Sequence, residues 1–173
     1  GIQPVPTDWV QYLRKHNSLS EFGETLAEAC DLLGIAWAIE NPAQRADETT
    51  DAHWERYEDW GFLWDRPRIK RLISRGARKF LLPHCAFGSE FPKYIEVLCS
   101  AAFVAIAAQF LSGFKCTHAK HADQAAGKDA NGNSKAGSTA AYPPALNKLF
   151  ASFLIACALS SGKTRRLVVG SSK

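Results

Sequence analysis

The stretch GIAWAIENPAQ, residues 34 to 44, decides the predicted fold. Residues 35 to 40 are apolar except for the last, which is typical of a strand that helices cover on both faces, as in a parallel sheet. Pro42 disfavours helical backbone at Asn41, so we expect the strand to end in a turn near Glu40. A carboxylate would then stand at the carboxyl end of a buried strand, where open α/β sheets bind their ligands.

Helical periodicity precedes this strand. Residues 17 to 34 place Leu19, Phe22 and Leu26 on one face, and Gly34 is a typical residue to end such a helix. We therefore predict that this face packs inward on the sheet.

The chain that follows predicts more elements of both kinds. A basic helix should open near Pro67, and a last helix should restart at Pro143 or Pro144. Two further strands are predicted at residues 79–88 and 93–100, paired as a hairpin or through a short loop.

These elements predict an α/β fold with a small, mostly parallel sheet and helices on its faces. Residues 115–139 are rich in Gly, Asn, Ser, Lys, Asp and His, which indicates a long irregular loop. We expect one domain over residues 1–162, incomplete for this fold, and a basic flexible tail over 163–173. An incomplete sheet would expose apolar edges and favour self-association or pairing with a missing segment.

Composition restricts the class of protein. A chain of 173 residues that is 46% hydrophobic can bury the core of about one domain. Its five cysteines are odd in number and scattered, and no charged and then apolar leader opens the chain, so a secreted disulfide framework is not expected. The apolar run at 97–111 is shorter than the roughly 20 residues of a bilayer span. We expect an intracellular protein, nuclear or cytoplasmic, without a membrane segment; the lack of Met suggests a piece of a longer reading frame.

Positive charge is clustered. Residues 66–79 contain seven Lys or Arg and no acid, and residues 162–173 contain four more, again without an acid. Such clusters suit a polyanion, and we expect nucleic acid, DNA rather than RNA, although a solvated helix face and a frayed end would give the same pattern. The predicted phosphate contacts are Arg68, Arg71, Arg75, Arg165 and Arg166.

Three stretches resemble the cytosine-5 DNA methyltransferases, in the order of that family. AIENP at 38–42 resembles its Glu-Asn-Val element, and HCAFGSEFPKYIEVLCS at 84–100 is similar to its strand-turn-strand element. STAAYPPALNKLFASFL at 138–154 resembles its closing Gly-Asn-x-x-Pro-Pro element. Over about residues 17 to 155 the chain also resembles open reading frames of algal and other eukaryotic mobile elements, including retrotransposons.

The resemblance implies a partial Rossmann-like sheet of the class I methyltransferase kind. In that family the strand-end glutamate contacts N3 of a flipped cytosine while a cysteine thiolate attacks C6. Glu40 would be the acid partner of the base, Asn41 the turn that fixes it, and Lys93 a phosphate or loop anchor. The base would have to leave the stack, because its reacting carbon is out of reach inside a duplex.

The family's S-adenosylmethionine loop and Pro-Cys nucleophile both precede the glutamate, and residues 1–33 resemble neither. None of the five cysteines follows a proline. We therefore expect a methyltransferase-like, nucleic-acid-binding domain of a mobile element that is catalytically silent. The alternative is the C-terminal half of an active DNA cytosine-5 methyltransferase whose nucleophile and cofactor loop are encoded upstream. S-adenosylmethionine is expected only with that half, and whether the chain is an enzyme stays open.

A Cys/His motif lies in the predicted loop. KCTHAKH places Cys116, His118 and His121 within six residues, and Cys85 comes from the end of a predicted strand that can lie nearby. Zinc accepts thiolate and imidazole ligands in a tetrahedral site. The spacing is not that of a standard finger, and the neighbouring lysines would oppose a second cation. We favour an exposed loop whose histidines touch phosphate or nothing, with a zinc site as the alternative.

Overall fold

A small antiparallel sheet organises the chain in the computed structural model, which describes residues 7–45, 62–119, 121, 130–132 and 141–169, the side chains of 7–9 and 162–169 excepted. The strands are β1 (Ala38–Pro42), β2 (Arg78–Pro83) and β3 (Tyr94–Cys99). The helices are α1 (Thr7–Leu32), α2 (Pro67–Ser74), α3 (Val104–Leu111) and α4 (Pro144–Val169). Short 3₁₀ turns occupy Leu63–Asp65, His84–Phe87 and Ala101–Phe103.

The strand order is β1-β3-β2, and both pairs are antiparallel. The mixed α/β class is thus confirmed, but the mostly parallel arrangement is wrong for the three described strands, and a Rossmann-like sheet is not confirmed. The reason lies in the connection between β2 and β3. Only residues 84–93 join them, too few for the crossover that a parallel pair needs, so the chain forms the hairpin that was one of the two predicted pairings.

The strand that helices cover on both faces is β3, not β1. All six residues of β3 are buried, whereas β1 is an edge strand whose residues alternate between exposed and half-buried. Pro42 explains the difference, because proline lacks the N–H that a central strand must donate and is tolerated at an edge. The carboxylate of Glu40 therefore belongs to the sheet edge.

Two apolar clusters pack against opposite faces of β3. On one face, Ile95, Val97 and Cys99 meet buried residues of α3 and α4. On the other face, Leu98 meets Ala27 of α1 and a group from the 3₁₀ turn and α2. That group consists of Trp64, Ile69, Leu72 and Ala77.

Helix α1 contradicts the predicted packing face. It begins at Thr7, ten residues before the predicted start, and its buried residues are Glu24 and Ala27. Leu19, Phe22 and Leu26 are 58%, 67% and 53% exposed. The ion pairs that Glu24 and its neighbours form with α2 orient the helix, and the apolar face stays in solvent. Self-association, expected from exposed apolar surface, stays a prediction.

Helix α4 begins at Pro144, as predicted, and packs Leu146, Phe153 and Cys157 inward. Its backbone continues to Val169, so the predicted tail at 163–173 begins inside the helix. In the described parts of the chain, Pro144–Ser161 is the one helical segment long and apolar enough to cross a membrane, judged by length and composition only. A core helix can meet the same criterion, so the expected lack of a membrane segment stays a prediction.

Because β3 is buried on both sides, truncation of Leu98 should cost far more stability than truncation of an exposed leucine. We expect Leu98→Ala to lower the free energy of unfolding by about 2 to 5 kcal/mol. The matched control Leu154→Ala, at a side chain that is 59% exposed, should change it by about 0.5 kcal/mol or less. Urea denaturation followed by circular dichroism measures both, and equal losses would contradict the described core.

Candidate functional site

Chemically active side chains gather at one end of the sheet, which we call the site end. Here β1 ends at Pro42, β2 ends at Pro83 and β3 begins at Tyr94. Two backbone hydrogen bonds extend the pairing past the strands, from Ala43 N–H to the Tyr94 carbonyl (3.1 Å) and from His84 N–H to the Lys93 carbonyl (2.8 Å). The turn after β2 is therefore held by the sheet itself.

Two thiols and two imidazoles meet at the site end. Cys85 comes from the turn after β2, while Cys116, His118 and His121 come from the segment after α3. One nitrogen or sulfur atom of each residue lies within 4.8 Å of the other three. We call these four residues the Cys/His cluster. The structure thus brings together the four residues named from sequence as zinc ligands.

Distances within the cluster are short. The Sγ atom of Cys116 lies 3.7 Å from Nδ1 of His118 and 3.3 Å from Nε2 of His121. The two imidazole rings are 5.1 Å apart. Packing of Phe114 against Phe87, with ring centroids 4.6 Å apart, brings the start of this segment to the turn that carries Cys85.

The two thiols differ in acidity. Burial raises the pKa of Cys85 to about 11, and the neighbouring Cys116 adds to the shift. Burial also opposes ionisation of Cys116, but hydrogen bonds from the backbone and ring of His118, and from Cys85 and Tyr94, outweigh it and lower the Cys116 pKa. Cys116 is therefore the first of the pair to become a thiolate, the form that binds metals and attacks electrophiles.

Glu40 does not stand where the sequence predicted. The strand continues past it to Pro42, so it lies in the middle of β1 and Asn41 lies in the strand rather than in a turn. An antiparallel sheet has no common carboxyl edge, so the expected ligand crevice does not follow from this position. The Glu40 carboxylate instead accepts a hydrogen bond from the Tyr142 hydroxyl. Burial, and then this carboxylate, raise the pKa of Tyr142 above its ordinary value.

Tyr142 is the site residue that sequence reasoning missed as a functional group. Its ring packs edge-on against the buried His84, with centroids 5.3 Å apart, and Lys93 Nζ lies 5.6 Å from the centre of the same ring. Burial, and then the charge of Lys93, lower the pKa of His84 to about 4, so this imidazole is neutral near pH 7. The signal was present in the sequence, since Tyr142 precedes the Pro pair that opens α4.

Among the described residues, four cations lie on or next to the segments that form the site end, and we call them the basic rim. Arg45 lies over the Tyr94 ring at 6.0 Å and Lys93 over the Tyr142 ring, while Lys115 precedes the Cys/His cluster and Lys148 lies in the first turns of α4. Lys115 and Lys148 are exposed. Only Lys93 was named from sequence.

Three partly exposed arginines in and just after α2 lie close to acids of α1. Arg68 Nε lies 3.8 Å from Glu28, Arg71 Nη2 lies 3.4 Å from the same carboxylate, and Arg75 Nη1 lies 3.8 Å from Asp31. The three arginines of the basic helix that were predicted to contact phosphate thus lie within 4 Å of two acids on the neighbouring helix. These acids reduce the local positive charge.

One further pair is more buried than the others. Arg66 contacts Glu24, whose side chain is almost fully buried, and burial raises the pKa of Glu24 in spite of this arginine. The pair joins α1 to the start of α2. Arg165 and Arg166 lie in the last turns of α4, and their side chains are outside the described residues.

The link between Glu40 and Tyr142 can be tested by titration. Glu40→Gln removes the charge that opposes ionisation of Tyr142, so we expect its pKa to fall toward the ordinary value of about 10. The phenolate absorbance of Tyr142, isolated as the difference from Tyr142→Phe, measures this change.

The raised pKa also fixes the sign of the effect on stability. The protonated phenol of Tyr142 contributes to the free energy of unfolding fully below pH ~10, and this contribution is lost as the pH rises through the higher folded-state pKa. The loss should be smaller in Glu40→Gln. Glu90→Gln, at an exposed acid, is the control. Identical titrations of Glu40→Gln and the parent protein would show that the two groups do not interact.

Comparison with protein-family models, curated proteins and solved structures finds no match to this chain. The function must therefore be argued from the chemistry of the site end.

Proposed function

We propose that the protein is a nucleic-acid-binding domain of a mobile element and that this chain does not itself transfer methyl groups. The observation that carries the proposal is the basic rim at the site end. DNA is the preferred partner, inside the cell. The mobile-element context rests on the sequence resemblance over about residues 17 to 155.

The distribution of charge supports a polyanion at this end of the sheet. The acids Glu24, Glu28 and Asp31 pair with arginines in and directly beside α2, and Glu96 pairs with Lys79. The chain as a whole has a formal net charge of +4. The basic rim is the group of cations at the site end that we expect to contact phosphate.

Aromatic rings give the rim a second useful property. Arg45 and Lys93 lie over the rings of Tyr94 and Tyr142, and such contacts hold a cation on a flexible side chain in one region. Cations that are positioned in advance lose less conformational entropy when they bind phosphate.

The state of the thiols supports catalytic silence. A cytosine-5 methyl transfer needs a thiolate nucleophile, but burial raises the pKa of Cys99 to about 12 and also raises that of Cys157. Cys116, whose pKa is lowered, lies in the Cys/His cluster. We further propose that the likeness to methyltransferases concerns the segments around Glu40 and the Pro pair; a Rossmann-like sheet would need parallel strands beyond the described residues.

Nucleic-acid binding should depend on the basic rim and on salt. We expect Lys93→Gln/Lys115→Gln/Lys148→Gln to weaken binding to a short DNA duplex by roughly 10- to 100-fold. The slope of log K against log salt concentration should become shallower by about three, one for each phosphate contact. Fluorescence anisotropy over a salt series measures both, with an RNA duplex of the same sequence as comparison.

The matched control removes three charges at the opposite end of the molecule. Arg71→Gln/Arg75→Gln/Arg78→Gln should change the slope by less than about one, since two of these arginines already pair with α1 and Arg78 lies opposite Cys99. Equal effects of the two triple variants, or no effect of the rim variant, would contradict binding at the site end. If the control variant weakens DNA binding more than the rim variant does, the arginines in and beside α2 form the interface, as the sequence predicted.

Catalytic silence has a separate test. Titration calorimetry of the chain with S-adenosylmethionine should show no binding. Tight binding would contradict the proposal and favour the alternative, an active cytosine-5 methyltransferase.

A further inference from the structure

We infer that Cys85, Cys116, His118 and His121 bind one structural Zn²⁺ ion, which joins the segment after α3 to the turn after β2. The inference goes beyond the proposed function, because a metal that holds the fold is independent of what the surface binds.

The spacing of the ligand atoms fits one ion. Bonds of about 2.3 Å to sulfur and 2.0 Å to nitrogen in a tetrahedron place neighbouring ligand atoms roughly 3.3 to 3.8 Å apart. The four atoms of the cluster lie within 4.8 Å of one another, and the two sulfur-nitrogen distances from Cys116 are 3.7 and 3.3 Å. We expect rotations of the side chains to complete the tetrahedron.

The chemical nature of the ligands selects the metal and its role. Two thiolates and two imidazoles are typical of structural zinc, and four protein ligands leave no open position for a substrate. Two thiolates also cancel the charge of the ion, so the bound site is neutral. The positive charge of the neighbouring Lys115, which seemed to oppose a cation, therefore does not prevent binding.

The surroundings supply hydrogen bonds that a metal thiolate requires. The backbone of Cys85 and Ala86 donates to the sulfur of Cys85, and the Tyr94 hydroxyl donates to the sulfur of Cys116. Tyr94 is itself buried at the start of β3. Such donors to the ligand atoms fix their orientation and strengthen the site.

The segment that carries three of the ligands is irregular, and Cys116 packs against the buried Ala43 and Tyr94. Residues 112–119 form neither helix nor strand, and Lys115, Thr117, His118 and Ala119 are exposed. The contact of Phe114 with Phe87 holds its beginning. An ion that binds the folded state alone would stabilise the conformation of the rest by mass action.

Metal analysis of the whole chain, purified under reducing conditions without chelator, tests the inference. We expect one zinc per chain by mass spectrometry of the metal. X-ray absorption should show two sulfur ligands at about 2.3 Å and two nitrogen ligands at about 2.0 Å. Cobalt(II) should replace zinc one to one and give the visible bands of a tetrahedral dithiolate site.

Variants identify the ligands. Cys116→Ser and His121→Ala should each weaken cobalt binding by more than about 100-fold, because loss of a direct ligand exceeds the loss from an outer partner. The control Cys30→Ser, at a half-buried free cysteine outside the cluster, should keep one metal per chain and the same spectrum. The absorption measurements on the unaltered protein remain decisive if a variant does not fold.

Several results would overturn the inference. The first is purified protein that contains no stoichiometric zinc and gives no one-to-one cobalt spectrum. The second is a bound metal with a single sulfur ligand, and the third is a loss of metal in Cys30→Ser equal to that in Cys116→Ser. The fourth is a disulfide between Cys85 and Cys116 in protein purified under reducing conditions. If a variant loses zinc and keeps its DNA affinity, the proposed function is unaffected. If a variant loses DNA affinity and keeps its zinc, the zinc site is unaffected.

Discussion

The central strand β3 is the constraint on which the rest of the structure depends. It pairs with β1 on one side and β2 on the other, and its side chains enter two separate apolar clusters. A strand in this position must satisfy all of its backbone groups within the sheet and present apolar side chains to both faces. The helices α1 and α2 can then cover one face and α3 and α4 the other. The site end exists because β3 begins where its two partners end.

The sequence predicted the type of most local elements better than their bounds or their arrangement. Proline positions gave the start of α4, and apolar patterns gave the three strands, but α1 begins ten residues before its predicted start and β2 ends five residues before its predicted end. They could not tell a buried central strand from an edge strand, because residues 35–40 and 94–99 are both largely apolar and only pairing decides which is covered. The connection of ten residues between β2 and β3 contained the information on strand direction, but the apolar run at 35–40 had indicated a parallel sheet.

In the candidate site, too, local features were predicted from the sequence and tertiary contacts were not. Cys85 and the Cys-x-His-x-x-His segment were grouped from sequence because their chemistry is distinctive at short range. The pairing of Arg68, Arg71 and Arg75 with α1 could not be predicted, because it depends on the rotation of α1 about its own axis. An apolar stripe on that helix indicated the opposite rotation. The hydrogen bond between Glu40 and Tyr142 joins residues about 100 positions apart, and no local sequence pattern predicts a contact over that separation.

The outer edge of β1 has a consequence for how the protein behaves at high concentration. An uncovered strand edge has unpaired backbone N–H and C=O groups that can pair with a strand of another molecule, and such pairing is a common origin of aggregation. Here Pro42 has no N–H to offer, and Glu40 places a carboxylate on the same short strand. At this edge of the described sheet, the tripeptide Glu-Asn-Pro thus disfavours addition of a further strand, whatever further role the glutamate has.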